Sequence, residues 1–221
     1  MTEALIVSIL AITIRAGASL LYATLGEIFT ERSGILNLGV EGIMLVGAAT
    51  AFAVSYHGGN AWLGLGAAIF IGALLSLIHA FLTVTLRAEQ VVSGLALTIF
   101  GVGLAAFMGQ RLGPGGTTMV GLEGATFGRI PIPGLSNLPV VGPALFNQDL
   151  MVYMLYILVP VLTFWLYRTQ PGLHLRAVGE NPAASDAMGV DVTGVRYLYT
   201  IIGGMLMGMA GAHLSLGYLQ G

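Results

Sequence analysis

Side chains capable of nucleophilic or acid–base chemistry are sparse in this sequence. Ser76 and His79 are three residues apart, a spacing that places both on one helix face, where a histidine could activate a serine. No acidic residue lies nearby to orient the histidine, and neither an H-E-x-x-H nor a G-x-S-x-G motif occurs. We therefore expect no catalytic residues.

Cysteine and lysine are both absent from the 221 residues. Without cysteine there is no disulfide, no thiolate chemistry and no cysteine-based metal site, and we expect neither a metal nor another cofactor. Without lysine there is no Walker A loop, because that loop uses a lysine to reach the nucleotide phosphates. Any ATP hydrolysis linked to this chain must therefore occur in another subunit.

The overall composition is that of an integral membrane protein. Hydrophobic residues make up 56% of the chain and charged residues 8%, whereas a soluble domain carries about 25% charged residues. The apolar residues form long runs separated by short polar stretches, which is the pattern of repeated bilayer crossings. Runs such as residues 61–86 are too long for barrel strands, which need only about ten residues. We therefore predict an all-α fold, a polytopic bundle of transmembrane helices.

Six transmembrane spans are predicted within a single domain covering residues 1–221. They comprise residues 4–25, 36–56, 61–86, 91–110, 150–167 and 197–219. Residues 111–149 form a long connection rich in glycine and proline, and residues 168–196 form a shorter polar connection. The first apolar run has no basic segment before it and no small-residue cleavage pattern, so we expect it to be retained.

The arginines orient this bundle, because positively charged residues concentrate in cytosolic loops. If residues 168–196 are cytosolic, five of the eight arginines are cytosolic and two are external. The cytosolic ones are Arg32, Arg87, Arg168, Arg176 and Arg196, and the external ones are Arg111 and Arg129. This orientation makes residues 111–149 an external loop and places the N-terminus outside, unless residues 26–41 re-enter the membrane.

Two opposite charges lie within predicted spans. A charge at the centre of a membrane helix costs about 2.5–3.5 kcal/mol on insertion scales, so such residues are functional candidates. Arg15 lies about 15 Å from the cytosolic end of its span and Glu41 about 9 Å inside the next, at about 1.5 Å per residue. We predict that Arg15 and Glu41 pair within the bundle, either to fix helix register or to line a translocation path. Asn37, one turn before Glu41, would share its face and could bond the backbone or a solute.

Small residues recur at four-residue intervals in three spans, and we interpret these ladders as close helix packing. The ladders are Gly72, Ser76 and Ala80; Gly101, Ala105 and Gly109; and Gly204, Gly208 and Ala212. His79 and His213 each stand alone on an apolar run. We interpret both as packing histidines with satisfied hydrogen bonds rather than as ligands.

The connection 168–196 contains a short helix with clear start and stop signals. Asn181 can cap this helix, Pro182 suits its first position, and Gly189 can adopt the left-handed conformation after its end. One face of the helix then consists of small or flexible apolar residues, namely Ala183, Ala184, Ala187 and Met188. Such a face could dock into a groove on a partner protein, but an ordinary solvated loop helix has the same composition.

Residues 180–189, E-N-P-A-A-S-D-A-M-G, resemble the EAA-type coupling loop of ABC importer permeases. The longer stretch 172–211 is similar to permeases for simple sugars and nucleosides, a branch of the branched-chain amino acid permease superfamily. Residues 25–44, L-G-E-I-F-T-E-R-S-G-I-L-N-L-G-V-E-G-I-M, resemble a second element of that branch, especially of the shorter of its paired nucleoside permeases. Glu27 stands where glycine is more usual.

The resemblance implies a function and a set of partners. In that family two permeases pair, cytosolic ABC ATPase subunits dock on their coupling loops, and an extracytoplasmic solute-binding protein delivers the solute. The ATPase-coupling site would then consist of Glu180, Asn181, Pro182, Ala183, Ala184 and Gly189. The implied role is the transmembrane subunit of an importer in a bacterial plasma (inner) membrane. A nucleoside is the first choice of solute, a simple sugar is the second, and nucleic acid is not among the implied partners.

The family pattern continues through further spans beyond residue 221. A bundle that ended there would leave helix faces without protein partners. We therefore expect a C-terminally incomplete permease, either a fragment or the product of a truncated gene.

The nearest competing class is a secondary transporter. It would share the apolar composition, the broken helices and the buried charges. It would need no ATPase-docking helix, so the role of residues 180–189 discriminates between the two classes.

Overall fold

The computed structural model describes residues 2–136 and 138–218, with only the backbone described for residues 2–4. Its elements are, in chain order, α1 (Thr2–Arg32), α2 (Val40–Gly58), α3 (Ala61–Ala80), α4 (Gln90–Arg111), β1 (Arg129–Pro131), α5 (Val141–Leu145), β2 (Asn147–Asp149), α6 (Leu150–Arg168), α7 (Gln170–Glu180), α8 (Pro182–Ala187) and α9 (Val192–His213). Wider π-helical turns extend α3 through Phe81–Thr85 and α9 through Leu214–Tyr218. A short 3₁₀ turn, Pro114–Gly116, follows α4.

Six of the described helices are long and apolar enough to cross a membrane. They are α1, α2, α3 with its π-helical extension, α4, α6, and α9 with its π-helical extension. The prediction of an all-α, polytopic bundle with six spans is therefore confirmed. Each predicted span falls on one of these helices, although the last residue of the sixth, Leu219, lies outside the described residues.

The connection between the first two spans differs from the prediction. α1 continues to Arg32 instead of ending about two turns earlier, and α2 begins at Val40 instead of one turn before it. Residues 33–39 between them are not helical. Within this break Gly34 adopts a φ of +83°, a conformation that glycine enters without the steric cost of a Cβ.

α9 lies at the centre of the bundle, against α1, α2 and α3. Its contact with α3 is a contact between backbones. A Cβ added to Gly204 would collide with Ser76 and with the carbonyl oxygen of Gly72. One added to Gly208 would collide with the carbonyl oxygen of Ala68. The ladders on α3 and α9 therefore let the two helices approach closely, as predicted.

The ladder on α4 is only partly a packing surface. Gly101 lies against Gly42 of α2, so close that a Cβ on either residue would meet backbone atoms. Gly109, about two turns further along α4, has no neighbouring atom within 4 Å of the position that its Cβ would occupy. The packing interpretation is therefore confirmed for Gly101 and wrong for Gly109.

An aromatic cluster joins α1, α6 and α9. The rings of Phe29, Trp165 and Tyr199 lie with their centroids 5.5, 5.6 and 6.2 Å apart. Phe29 and Tyr199 are buried. Aromatic pairs at such separations add about 0.5–1.5 kcal/mol each beyond the burial of their area. The cluster therefore fixes the helix ends from which residues 33–39 and α7 leave the bundle.

The described residues 112–136 and 138–149 contain little regular structure but are tied to the helix ends. β1 and β2 form a two-stranded antiparallel sheet. The amide of Met119 donates a hydrogen bond to the carbonyl of Gly109 (2.8 Å), and the amide of Phe127 donates to the carbonyl of Leu216 (3.1 Å). The segment is therefore anchored both to α4 and to the π-helical end of α9.

Candidate functional site

α7 attaches the predicted coupling segment, residues 168–196, to the bundle. The side chain of Leu175 is fully buried, and Gly179 lies against the carbonyl oxygen of Arg32, where a Cβ would not fit. The guanidinium of Arg176 lies over the ring of Tyr167, 5.2 Å from its centroid. Cation–π contacts contribute about 0.5–2 kcal/mol. α7 is therefore fastened to the ends of α1 and α6.

The N-terminus of α8 is capped as predicted. The Oδ1 atom of Asn181 accepts a hydrogen bond from the amide of Ala184 (3.0 Å). A side-chain cap of this kind is worth about 1 kcal/mol. Pro182 occupies the first turn, where its missing N–H costs no hydrogen bond. The hydroxyl of Ser185 donates to the Asn181 carbonyl (3.0 Å).

The C-terminus of α8 also follows the prediction. Gly189 has a φ of +83°, and its amide donates to the carbonyl of Asp186 (2.9 Å). The amide of Val190 donates to the carbonyl of Ser185 (3.0 Å), which completes a Schellman motif. The left-handed conformation predicted for Gly189 is therefore confirmed.

The apolar face of α8 points away from the bundle. Its members Ala183, Ala184, Ala187 and Met188 are all exposed, and Met188 is 84% exposed. Ser185 is buried at 6% exposure and marks the side that faces the bundle. α8 is thus capped at both ends, held on one side and uncovered on the other.

Arg196 links the coupling segment to residues 33–39. Its Nε atom donates a hydrogen bond to the carbonyl of Ser33 (3.3 Å). One turn earlier Asp191 caps α9 by accepting a hydrogen bond from the amide of Gly194 (2.9 Å). The end of the coupling segment, the start of α9 and the broken connection therefore form one structural unit.

Side chains from α3 and α4 satisfy part of the non-helical backbone of residues 33–39. The amide of Leu36 donates to Oε1 of Gln90 (2.8 Å), and its carbonyl is hydrogen-bonded to Nε2 of His79 (3.1 Å). Unpaired backbone groups cost several kcal/mol each in hydrocarbon. The break between α1 and α2 therefore depends on these polar partners.

Asn37 lies in this connection and not on α2. Its amide donates to the carboxylate of Glu27 (3.1 Å), and its Oδ1 atom accepts a hydrogen bond from the amide of Gly39 (2.9 Å). The side chain is fully buried. Of the two partners considered for this side chain, the backbone or a solute, the structure shows the backbone. The prediction that Asn37 shares a helix face with Glu41 is wrong, because Asn37 precedes the helix.

Arg15 and Glu41 do not pair. Glu41 is exposed in the first turn of α2, near the level at which α1 ends. Arg15 is buried about 25 Å back along α1 from Arg32, at about 1.5 Å per residue. The prediction was wrong because α1 runs about two turns further than its apolar run, which carries the two charges to different depths. The charges that act on Arg15 include those of Arg129 and Asp149.

Asp149 and His213 form a buried pair that joins three helices. The Nε2 atom of His213 lies 3.3 Å from Oδ2 of Asp149, and its Nδ1 atom lies 2.7 Å from the hydroxyl of Ser19. The exposed fractions of the three residues are 1% for Asp149, 0% for His213 and 3% for Ser19. A carboxylate, an imidazole and a hydroxyl in line have the order of a catalytic triad, but this burial leaves Ser19 no room for a substrate. The cluster therefore binds α1 and α9 to the start of α6.

Asp149 also caps α6. Its Oδ1 atom accepts hydrogen bonds from the amides of Met151 (2.9 Å) and Val152 (3.1 Å). Burial by itself would raise the pKa of this carboxyl. The hydrogen bond and the charge of His213, together with the two amides, outweigh burial and hold the pKa below its ordinary value.

No local pattern indicates the pair, because 64 residues separate Asp149 from His213. The position of Asp149 directly before an apolar run could have identified its capping role. The interpretation of His213 as a packing histidine with satisfied hydrogen bonds is confirmed, because both of its ring nitrogens have partners on other elements. The hydrogen bonds of His79 are satisfied too, since its Nδ1 atom is hydrogen-bonded to the hydroxyl of Ser93 (3.0 Å).

A known protein family matches almost the whole of this chain. The family described as "Branched-chain amino acid transport system / permease component" matches residues 8–220. The chain belongs to this family. The resemblance found in residues 25–44 and 172–211 is therefore confirmed, and the chain is a multi-pass permease with six apolar helices among its described residues.

Curated relatives of this permease carry transporter names. It is 48% identical to a putative glucose ABC transporter permease protein of Haloferax volcanii, over 94% of this chain and 62% of that protein. It is 38% identical to a guanosine ABC transporter permease protein of Bacillus subtilis, over 93% and 67%. It is 36% identical to a nucleoside ABC transporter permease protein of Lactococcus lactis, over 87% and 62%. The permease thus spans 62–67% of the length of these relatives.

No solved structure matches the permease. Its family and its relatives are transport permeases and not enzymes, so the prediction of a transport subunit is confirmed at the level of the family. The buried position of Ser19 agrees with that assignment.

Proposed function

We propose that this permease is the transmembrane subunit of an ABC importer for a small polyhydroxylated solute, with a nucleoside as the first choice and a simple sugar as the second. Cytosolic ATPase subunits hydrolyse the ATP, a second permease subunit completes the pathway through the plasma membrane, and an extracytoplasmic solute-binding protein supplies the solute. The names of the relatives, which are glucose, guanosine and nucleoside ABC transporter permeases, support this class of solute.

The uncovered apolar face of α8 carries the proposal. An isolated helix of six residues is far too short to persist in water, because nucleation is costly. Here two caps and the buried Ser185 hold it in place, while Ala184 and Met188 remain exposed. A helix that is fixed on one side and apolar on the other has the geometry of a docking surface.

A polar cavity beside α8 supports the same interpretation. It has a volume of about 300 Å³ and is lined by Glu31, Arg32, Arg176, Gly179 and Glu180. These residues belong to the ends of α1 and α7, so a partner seated on α8 would also cover a surface of mixed charge. An apolar centre with a charged rim is the ordinary anatomy of a protein interface.

The residues of the proposed coupling site have different structural roles. Ala183 and Ala184 offer contact surface, because their small side chains let another helix or groove approach. Asn181, Pro182 and Gly189 fix where α8 begins and ends. Glu180, at the end of α7, belongs to the charged rim.

Of the three residues proposed for a translocation path, only Glu41 is exposed. Asn37 is fully buried in the connection before α2, and Arg15 is buried along α1. We therefore keep Glu41 as a candidate for the path and assign Asn37 and Arg15 to the internal structure.

Solute uptake by the complete transporter tests the proposal. The full-length permease, its partner permease and the ATPase subunits are reconstituted in proteoliposomes loaded with ATP or with ADP. Radiolabelled guanosine, adenosine or D-glucose is added outside together with the solute-binding protein. We expect accumulation of at least one of these solutes with ATP inside and none with ADP. An ATPase inactivated at its catalytic glutamate is the matched control.

Accumulation that persists with ADP and follows an ion gradient would overturn the importer assignment and favour a secondary transporter. Accumulation of D-glucose, but of neither nucleoside, would support the importer assignment and make a simple sugar the first choice of solute.

A further inference from the structure

A cavity of about 850 Å³ opens between the helices and the segment that follows α4. Its lining includes Phe52 of α2, Gly109 of α4, Glu123 and Thr126 of that segment, and Ser215 at the π-helical end of α9. Binding sites for small molecules commonly have volumes of about 300–1,000 Å³. The cavity is therefore large enough for a nucleoside or a hexose with bound water.

The outer wall of this cavity, residues 119–126, is held at both ends. The amide of Met119 donates to a carbonyl of α4 (2.8 Å). Phe127, directly after the wall, donates its amide to the carbonyl of Leu216 (3.1 Å), and its ring packs edge-on against Trp62 with centroids 5.1 Å apart. The cavity is therefore largely formed before any ligand arrives.

Gly109 keeps the cavity open. Nothing lies within 4 Å of the position of a Cβ on this residue, so the missing side chain leaves space in the cavity and not in a packed interface. Gly103, on the same helix, is equally open but lies outside the lining. A large side chain would fill the cavity at Gly109 and would leave it unchanged at Gly103.

The wall offers polar groups that the chain itself does not use. Within residues 2–136 and 138–218, the amides of Gly121, Glu123 and Gly124 donate to no acceptor. The carboxylate of Glu123 is exposed and forms no salt bridge within the same ranges. The hydroxyl of Ser215, at 7% exposure, donates to the carbonyl of Ala212 (3.3 Å) and keeps its capacity to accept. Donors and a two-oxygen acceptor are thus available along one wall.

Phe52 provides the apolar part of the lining. Its ring is half-buried and stacks on that of Tyr56 with centroids 6.3 Å apart. Gly124 lies against the same ring, with its Cβ position 3.4 Å from the nearest ring carbon. These neighbours hold the ring at the edge of the cavity. An aromatic side chain beside a few placed polar groups is the usual composition of a small-molecule site.

We propose that this cavity is the site at which the solute enters the permease from outside, and that it recognises a vicinal diol, the group shared by ribonucleosides and hexoses. Two adjacent hydroxyls can donate to the two oxygens of the Glu123 carboxylate, and the amides of Gly121 and Gly124 can donate to the hydroxyl oxygens. Phe52 packs against the apolar face of the sugar ring. The inference rests on the proposed function and adds to it a binding site and a chemical group.

Protection of an introduced cysteine tests the site directly, because the chain has no cysteine of its own. Thr126→Cys places a thiol in the lining, and Thr117→Cys places one on an exposed part of the same segment outside it. Each variant is labelled with a membrane-impermeant thiol reagent in the complete transporter, without ATP and without the solute-binding protein. The probe is whichever of guanosine, adenosine and D-glucose the transporter accumulates.

At a solute concentration about nine times its Kd, labelling of Thr126→Cys should slow about tenfold, since free sites fall by that factor. Labelling of Thr117→Cys should not change. The dideoxy analogue of the same solute, which lacks the vicinal diol, should protect neither variant. Absence of protection, or equal protection by the dideoxy analogue, would overturn the inference.

Two further variants separate the site from general damage. Glu123→Gln should raise the KM of uptake about tenfold and leave kcat within about twofold, because the loss falls on the binding of the solute. Gly109→Phe should abolish protection and uptake, whereas Gly103→Phe should keep both. If Gly109→Phe and Gly103→Phe had equal effects on protection and uptake, the cavity would not be the binding site.

The two proposals fail in distinguishable ways. ATP-dependent uptake without protection of Thr126→Cys would refute the binding site and leave the importer intact. Protection together with ATP-independent uptake would refute the importer and leave the binding site intact.

Discussion

Replacement of Asp149 by alanine tests how the start of α6 is joined to α1 and α9. The substitution removes two kinds of interaction at once. The amides of Met151 and Val152 lose their acceptor at the start of α6, and the imidazole of His213 loses its carboxylate partner at 3.3 Å. His213 is fully buried, so water cannot replace that partner.

The two losses have different sizes. Removal of a side-chain cap costs about 1 kcal/mol. Loss of the carboxylate also leaves a ring nitrogen of the buried His213 imidazole without its hydrogen-bond partner, which costs about 1–3 kcal/mol. The sum is roughly 2–4 kcal/mol, and at about 2–4 °C per kcal/mol for a chain of this size the Tm should fall by about 4–16 °C. The measurement is thermal unfolding of the purified permease in detergent, followed by tryptophan fluorescence at neutral pH.

Asp191 provides the matched control. It is an exposed cap of α9, and its carboxylate accepts a hydrogen bond from the amide of Gly194 (2.9 Å) without a buried partner. Asp191→Ala should therefore lower the Tm by only about 2–4 °C. Asp149→Asn keeps a capping oxygen and removes the charge, so its Tm should lie between those of the wild type and Asp149→Ala.

The pH dependence follows from the direction of the pKa shift. The pKa of Asp149 is lower in the folded chain than its ordinary value, which is about 3.9 in unfolded peptides. The ionised carboxylate therefore contributes its full stabilisation above that value, and the contribution is lost as the pH falls from there through the folded pKa. Asp149→Asn should lack this component. If Asp149→Ala and Asp191→Ala lowered the Tm equally, the pair with His213 would contribute nothing and the reasoning would fail.

Three further predictions follow from the membrane arrangement and the coupling segment. Single cysteines at Gly115 and Met188 should lie on opposite sides of the membrane, so an impermeant thiol reagent on intact cells should label only the first; labelling of both would overturn the orientation. Ala184→Arg should abolish co-purification of the ATPase and coupled uptake while membrane insertion stays normal, and normal coupling would make α8 an ordinary loop helix. The effects of Arg15→Ala and Glu41→Ala on the free energy of unfolding should add within about 0.5 kcal/mol, because the residues do not touch. A larger interaction energy in the double variant would show that the two residues form an ion pair after all.

The coupling segment could be predicted from the sequence because its signals are local. A cap bonds an amide three residues away, as Asn181 does with Ala184, and the left-handed residue closes its own turn, as Gly189 does. Such patterns depend on neighbouring residues alone. The exposure of the apolar face is a tertiary property and could not be deduced from the same residues.

The buried charges could not be placed in this way. The depth of Glu41 relative to Arg15 depends on where α1 ends, and that end depends on bonds from Gln90 and His79 to the backbone of residues 33–39. Gln90 lies 54 residues away from the Leu36 amide that it bonds, and His79 lies 43 residues away from the Leu36 carbonyl. Hydropathy detects the apolar run and not the polar groups that allow a helix to continue beyond it.

Periodicity has a similar limit on α4. The four-residue repeat correctly identifies a face of small residues that includes Gly101 and Gly109. It does not indicate what lies opposite each of them, which is the backbone of Gly42 in one case and open space in the other. Glycine therefore allows close helix packing at Gly101 and leaves open space at Gly109, about two turns later.

The hydrogen bond between Arg196 and Ser33 has a mechanical consequence. It ties the exit of the coupling segment to residues 33–39, and Gln90 at the start of α4 holds the same residues. α4 is a single helix of 22 residues, about 33 Å long, and Gly109 borders the 850 Å³ cavity near its other end. A force applied to α8 would thereby act on one end of α4, whose opposite end borders the proposed binding site. A tilt of a few degrees about the middle of α4 would widen or narrow the cavity by about 1 Å, without any change in the hydrogen bonds of the helix itself.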